Sequence, residues 1–298
     1  MERIGREVEL KSFDEAKCVL GLQVVQEEGK IVVHLRDYID KLLDMYGMRE
    51  CNAVTSPIYI NFKMQNHETS PTSNIEEYQE LIGRLMYLRV YARPDISFAL
   101  SCLSQFSKNP KVMHMMSLKR ILRYLKGTID YRLVFGDKKC MKGIECESDA
   151  SWDSTGDAKS YSGMLMYRNG DLIHWRSRKQ RMVALSSTES ELESVLEGVK
   201  ELIWCKRILN EIDGKNIVKK VIKCDNLNVV KLAKGGNYKT KSKLLNRKCW
   251  YVREPVMNEN IEIIHVPSLA MTADCMTKPL SGPNLLRNVK KMLLTQKQ

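Results

Sequence analysis

The chain has 298 residues, 43% of them hydrophobic, and a formal net charge of +12 from 48 Lys and Arg against 36 Asp and Glu. That length and apolar content supply core for two domains rather than one, and no apolar run of about 18 residues exists to form a membrane-spanning helix. Met1-Glu2-Arg3-Ile4-Gly5-Arg6-Glu7 lacks the apolar stretch of a secretory signal, and the nine cysteines include no C-x-x-C pair to suggest a zinc site, so reduced thiols and an intracellular setting are expected. The basic surface favours polyanions through attraction and counterion release, but basic charge alone does not identify nucleic acid as the partner.

In chain order, Leu20 to Val25 and Ile31 to Leu35 are strand-like, and Glu27-Glu28-Gly29-Lys30 between them predicts a hairpin turn. Tyr38 to Tyr46 carries apolar residues at helical spacing. Asn61 to Asn74 is polar, contains Ser70-Pro71, and predicts a loop. Glu77 to Arg89 and Ile96 to Phe106 are predicted helices, with Pro94 ending one or starting the other. Met115 to Leu125 is a third, stopped by Gly127. Composition changes after Lys138, which divides the chain into 1–138 and 139–298.

The second part predicts strands at Ile144–Ser148, Tyr161–Tyr167 and Leu172–Arg176, with Asn169-Gly170 as a hairpin turn. Leu192, Val195, Leu196, Val199, Leu202 and Ile203 make one apolar stripe of a long helix. Val218–Cys224 and Ile261–Val266 are further strands, and Asn228–Lys234 and Ser242–Asn258 are helices, so the order is β-β-β-α-β-α-α-β-α.

Four acidic positions fall at the ends of these elements. Asp149 closes the first strand of the second part, Asp225 closes the fourth, Asp274 begins the last helix, and Glu189 or Glu191 opens the long helix. Functional groups gather at strand ends in α/β sheets. Packed carboxylates repel, and divalent cations remove that cost. Two Mg²⁺ ions about 3.5–4 Å apart activate a water and stabilise the leaving oxygen of a phosphodiester. A simpler account stands beside this. An Asp at a strand end forms turns, and both Ser186-x-x-Glu189 and Thr188-x-x-Glu191 are capping boxes.

The local wording is more specific. Ser148-Asp149-Ala150-Ser151-Trp152, the run from Ile173-His174-Trp175 through Ser187-Thr188-Glu189-Ser190-Glu191, Cys224-Asp225-Asn226, and Ala273-Asp274-Cys275-Met276-Thr277-Lys278-Pro279-Leu280 resemble, in order, the ribonuclease H region of Ty1/copia-type retrotransposon Pol polyproteins. Upstream, Phe13-Asp14-Glu15-Ala16-Lys17, Thr55-Ser56-Pro57, Ile82 to Leu88, Arg93-Pro94-Asp95-Ile96 and Ile121 to Thr128 resemble the end of that family's reverse transcriptase. The resemblance implies a ribonuclease H-like α/β domain, a mixed five-stranded sheet with helices on both faces, preceded by a mainly helical thumb or connection remnant. It also implies an Asp-Glu-Asp-Asp site at Asp149, one helix glutamate, Asp225 and Asp274, holding two Mg²⁺ with Mn²⁺ as a substitute. Glu191, which precedes Leu192 of the apolar stripe, matches the family's glutamate better than Glu189.

The implied substrate is an RNA–DNA hybrid, with RNA selected through its 2′-hydroxyls. Arg176, Arg178, Lys179, Arg181, Lys239, Lys241 and Lys243 are candidates for its phosphates, or for a solvated basic surface. The Tyr/Phe-x-Asp-Asp motif of the polymerase palm is absent from the sequence, so no polymerase activity is expected. Lys243-Leu244-Leu245-Asn246, Trp250 and Met271 depart from the family's wording at expected substrate contacts, not at metal ligands. His174 is expected at the surface, and His265 is either a helper in proton transfer or a structural histidine. The alternative to catalysis is a basic module that binds nucleic acid without cutting it, or a decayed fragment of an element.

Overall fold

A computed structural model describes residues 15–27, 29–62, 70–136, 143–152, 156, 158–214, 219–235 and 243–292. Two sheets organise them. The first is antiparallel: β1 (Cys18–Val19), β2 (Leu22–Glu27), β3 (Lys30–His34) and, from much later in the chain, β4 (Leu133–Phe135). The expected hairpin forms between β2 and β3. Leu20 and Gly21, expected in a strand, make a turn instead; their φ values of 51° and 83° are left-handed, a region glycine enters freely.

Four helices follow: α1 (Arg36–Met45), α2 (Ile75–Tyr91), α3 (Ser97–Leu103) and α4 (Val112–Gly127). The side chain of Asn74 caps α2 by accepting a hydrogen bond from the Glu77 amide at 3.2 Å. The single helix expected over Ile96–Phe106 is three pieces, with 3-10 turns at Pro94–Ile96 and Ser104–Phe106 around α3. Ser104 contributes to that break by donating its hydroxyl back to the Ser101 carbonyl at 3.2 Å.

The second sheet is mixed and five-stranded. Its members are β5 (Ile144–Ser151), β6 (Tyr161–Arg168), β7 (Asp171–Lys179), β8 (Lys220–Cys224) and β9 (Glu262–His265), in the order β7-β6-β5-β8-β9. β5, β6 and β7 run antiparallel, while β8 and β9 run parallel to β5. Asn169 and Gly170 close the β6–β7 hairpin with φ of 53° and 92°, both positive as a two-residue type I′ turn needs.

Helices α5 (Ser187–Asp213), α6 (Leu227–Ala233) and α7 (Lys243–Asn258) cover one face of this sheet. There Ile144, Cys146 and Met166 pack with Leu192, Val195, Val199 and Leu202, the stripe expected on the long helix. On the other face, Tyr161, Leu165 and Tyr167 join Phe98 of α3, Cys275, and Leu285 and Val289 of α8 (Gly282–Met292). That core is continuous with the interior of α1, α2 and α4. The mixed sheet with helices on both faces is therefore present, and one of its covering helices comes from the first half of the chain.

Asp274 does not begin the last helix. It lies in a 3-10 turn, Thr272–Met276, and α8 starts only at Gly282. Pro279 explains the gap, because a proline pushes the residue before it out of the helical region.

Candidate active site

Strand alternation sorts β5. Ile144 and Cys146 point into the α5 core. Glu147, Asp149 and Ser151 point to the opposite side, where each bonds to the segment carrying Asp274. Glu147 Oε2 accepts from the Thr272 amide at 2.8 Å, Asp149 Oδ2 accepts from Thr277 Oγ1, and Ser151 Oγ donates to the Thr277 carbonyl at 2.7 Å. Gly163 on the neighbouring strand permits this approach. A Cβ there would stand 2.5 Å from Met276 Cβ and 2.6 Å from Thr277 Cγ2.

Asp149 is 2% exposed. Its carbonyl accepts from Ser194 Oγ of α5 at 2.7 Å, and that hydroxyl accepts from Ser148 Oγ at 2.9 Å. The start of α5 is thereby fixed to the end of β5. Glu191, 5% exposed, accepts at Oε1 from the Ala150 amide at 3.1 Å. Its Oε2 has no hydrogen-bond partner among the described residues. Glu189 sits elsewhere. Its amide donates to the Ser186 cap at 3.2 Å, its Oε2 accepts from the Leu185 amide at 3.0 Å, and Lys248 Nζ lies 3.9 Å away. Ser186 is the N-cap and Glu189 supports it by accepting from the Leu185 amide, while Glu191 is the helix glutamate beside the aspartates.

Asp225 follows β8. Ser268 Oγ donates to its Oδ2 at 2.6 Å, and His265 Nε2 lies 3.1 Å from its carbonyl oxygen. Asp274 Oδ1 lies 2.8 Å from Lys278 Nζ. Burial pushes the Asp149 carboxyl above the usual range, and Asp274 and Asp225 add to the rise against Lys278 and Thr277. Burial also raises Glu191 well above its ordinary value, with Asp149 and Asp225 adding further. For Lys278, burial pushes the ammonium down, and Asp149, Asp274 and Asp225 together push it further up. Four carboxylates from four separate elements thus share one field.

Lys278, Thr277, Ser194 and Ser268 also belong to this cluster; Thr277 and Lys278 lie in the Ala273–Leu280 wording, which assigns them no role, and Ser194 and Ser268 lie in none of the family-like strings. The i,i+4 spacing of Asp274 and Lys278 was the available signal. The other three contacts join residues distant in the chain, and no local pattern announces them.

The expected basic residues are mostly occupied. Arg176 pairs with Glu201 at 2.6 Å, Arg178 lies 4.0 Å from Glu197, and Lys179 donates to Gln105 Oε1 at 2.8 Å. Arg181 is exposed. It lines a cleft of about 340 Å³ together with Arg178, Lys179, Glu189 and Lys248. Lys243 opens α7, while Lys239 and Lys241 lie outside the described residues. His174, expected at the surface, is half-buried on β7 with Nε2 3.8 Å from Glu201, and burial lowers its pKa.

Over 284 residues the chain is 31% identical to the retrovirus-related Pol polyprotein from transposon TNT 1-94 of Nicotiana tabacum, matching 92% of this chain and 21% of that protein. The chain is homologous to copia-type retrotransposon Pol polyproteins. It spans about a fifth of the length of the curated relatives it first matches. Secreted RxLR effector protein 161 of Plasmopara viticola is 43% identical over 128 residues, covering 43% of this chain and 89% of that protein. No protein-family model matches. The solved LC11-RNase H1, isolated from compost, superposes with a TM-score of 0.37 at 17% identity, covering 46% of this chain and 94% of that one. At that score the superposition carries no weight of its own. The architecture is the mixed five-stranded sheet in the order β7-β6-β5-β8-β9 with helices on both faces.

Proposed function

We propose that this chain is a ribonuclease H that hydrolyses the RNA strand of an RNA–DNA hybrid with two Mg²⁺ ions, for which Mn²⁺ can substitute. The observation that carries the reading is the cluster itself. Asp149, Glu191, Asp225 and Asp274 come from four elements, and burial together with mutual repulsion holds Asp149 and Glu191 away from their charged forms. A protein gains nothing in stability from such an arrangement, which is why clustered, perturbed carboxylates mark functional sites.

The donor set fits the ion. All four side chains offer hard oxygens, and Glu191 Oε2 is buried without a partner. Asp149, Glu191, Asp225 and Asp274 would hold the metals. Bound Mg²⁺ would supply an activated water and neutralise charge on the leaving oxygen. The chain's own groups orient these ligands: Thr277 fixes Asp149, the Ala150 amide fixes Glu191, Ser268 fixes Asp225, and Lys278 balances Asp274. Arg181, with Arg178 and Lys179 after their present partners exchange, would meet substrate phosphates, as would Lys239, Lys241 and Lys243. In this proposal residues 139–298 carry the chemistry inside a cell, and residues 1–138 brace one face of the sheet.

The test is cleavage of an RNA–DNA hybrid by purified protein in Mg²⁺. The parent is expected to cut the RNA strand, and Asp149→Asn to be slower by more than about 100-fold. A parent that binds the hybrid with salt-dependent affinity and leaves the RNA intact would reject catalysis in favour of a binding module.

A further inference from the structure

We infer that Glu191, Cys224 and Asp225 form a site for a thiophilic divalent cation, Zn²⁺ or Cd²⁺. One ligand atom from each residue lies within 4.8 Å of the other two, and this is the one such group of three or more among the described residues. The geometry follows from the strand. Cys224 ends β8 in the core beneath α5, where Glu191 begins to enter the site, and Asp225 is the next residue. Cys224 is fully buried, with Sγ accepting from the Asn226 amide at 3.4 Å. Glu191 Oε2 supplies an independent sign of a missing ligand, being buried with no hydrogen-bond partner. Asp225 is only half-buried, so an ion enters past it from solvent.

A tetrahedral zinc bonds sulfur at about 2.3 Å and oxygen at about 2.0–2.2 Å, which needs donors about 3.6 Å apart. Closing from within 4.8 Å takes about an ångström of side-chain rotation. The thiol proton leaves to solvent as the metal binds. Thiolate selects soft or borderline cations and offers nothing to Mg²⁺. Cys224 therefore separates the two kinds of ion on a pair of carboxylates that they share. Binding of the soft ion stands on these three residues alone. Its consequence, that Zn²⁺ excludes Mg²⁺ and stops hydrolysis, rests on the proposed function above.

The experiment is Cd²⁺ titration of the purified protein, read by the ultraviolet cadmium–thiolate charge-transfer band. One equivalent is expected to produce the band in the parent. Cys224→Ser, checked for folding by circular dichroism, is expected to lose the band and to bind Cd²⁺ about tenfold or more weakly. In the unsubstituted protein under sub-denaturing urea, where local opening exposes this buried thiol, Cd²⁺ is expected to slow alkylation of Cys224, mapped by mass spectrometry, which keeps the test valid if the variant misfolds. No band in the parent, a band of equal strength in Cys224→Ser, or unchanged alkylation of Cys224 would overturn the inference. A Cys224-dependent band in a protein that fails to cleave hybrid would leave the metal site standing and remove only its inhibitory role.

Discussion

Two positions along a helix turn a side chain through about 200°, and that rotation separates Glu189 from Glu191. Glu189 reaches back over the helix start to the Leu185 amide, while Glu191 turns inward to the Ala150 amide of β5. Glu191→Gln is expected to lose Mg²⁺-dependent cleavage and any rise in melting temperature on adding Mg²⁺. Glu189→Gln is expected to keep both and to lose up to about 1 kcal/mol of stability as a weakened cap. The reverse pattern in a hybrid-cleavage assay would reassign the site. Lys278 makes a different prediction. Its ammonium neutralises Asp274 and lowers the Asp149 carboxyl from what burial alone would set. Removing that charge leaves the acids unbalanced without metal and removes a competitor for it. Lys278→Met is expected to melt lower than the parent in chelator and to gain more from added Mg²⁺. Equal gains in the two proteins, measured by differential scanning fluorimetry, would show that the ion pair is peripheral.

At the scale of elements, β6 and the Thr272–Thr277 segment touch through one missing side chain. Gly163→Ala would place a Cβ against Met276 and Thr277, both on the segment that delivers Asp274 and holds Asp149. Overpacking of a fitted core costs about 1–3 kcal/mol. The expected result is a loss of that size in urea unfolding, together with weaker Mg²⁺ binding because the Thr277 hydroxyl shifts. Gly163→Ala with parental Mg²⁺ affinity would mean that the site does not depend on this contact. The same region shows what a sequence can reveal. Asn169-Gly170 announces its turn because few residues tolerate two positive φ angles, and the stripe from Leu192 to Leu202 announces which face of α5 is buried. Asp149 and Asp225 were legible near strand ends and the face of Glu191 followed from the stripe, whereas Asp274 was expected to begin the last helix and does not. The 3-10 turn at Asp274 was not legible, because its helical spacing continues to Lys278 and only the geometry before Pro279 stops it. The bond from Thr277 to Asp149 was not legible for another reason. The two residues lie 128 positions apart, and tertiary contacts of that kind leave no periodic trace.

The two halves share one interior, and a buried ion pair in the first half tests how far that sharing goes. Arg93 and Asp95 are 1% and 2% exposed. The Arg93 guanidinium donates to Asp95 at 2.7 Å and to the Thr128 carbonyl at 3.1 Å, while Tyr124 donates its hydroxyl to Asp95 at 2.8 Å. Removing one member of such a pair leaves an uncompensated buried charge, a loss of about 3–5 kcal/mol. Asp95→Ala should therefore destabilise the core of α2, α3 and α4 severely. That core continues through Phe98, Tyr161 and Cys275 to the far face of the five-stranded sheet. All four tryptophans, Trp152, Trp175, Trp204 and Trp250, lie in the second half. The Trp175 indole donates to the Arg89 carbonyl of α2 at 2.7 Å, so in a Trp175→Phe background the remaining fluorescence reports on the second half, while far-ultraviolet circular dichroism reports on both halves. If the interior is one cooperative unit, Asp95→Ala lowers the urea midpoint by both probes together, although no tryptophan is within 50 residues of the substitution. If residues 139–298 fold as an independent domain, fluorescence keeps the parental midpoint and circular dichroism shows a separate, earlier transition. The continuous core favours coincidence of the two curves.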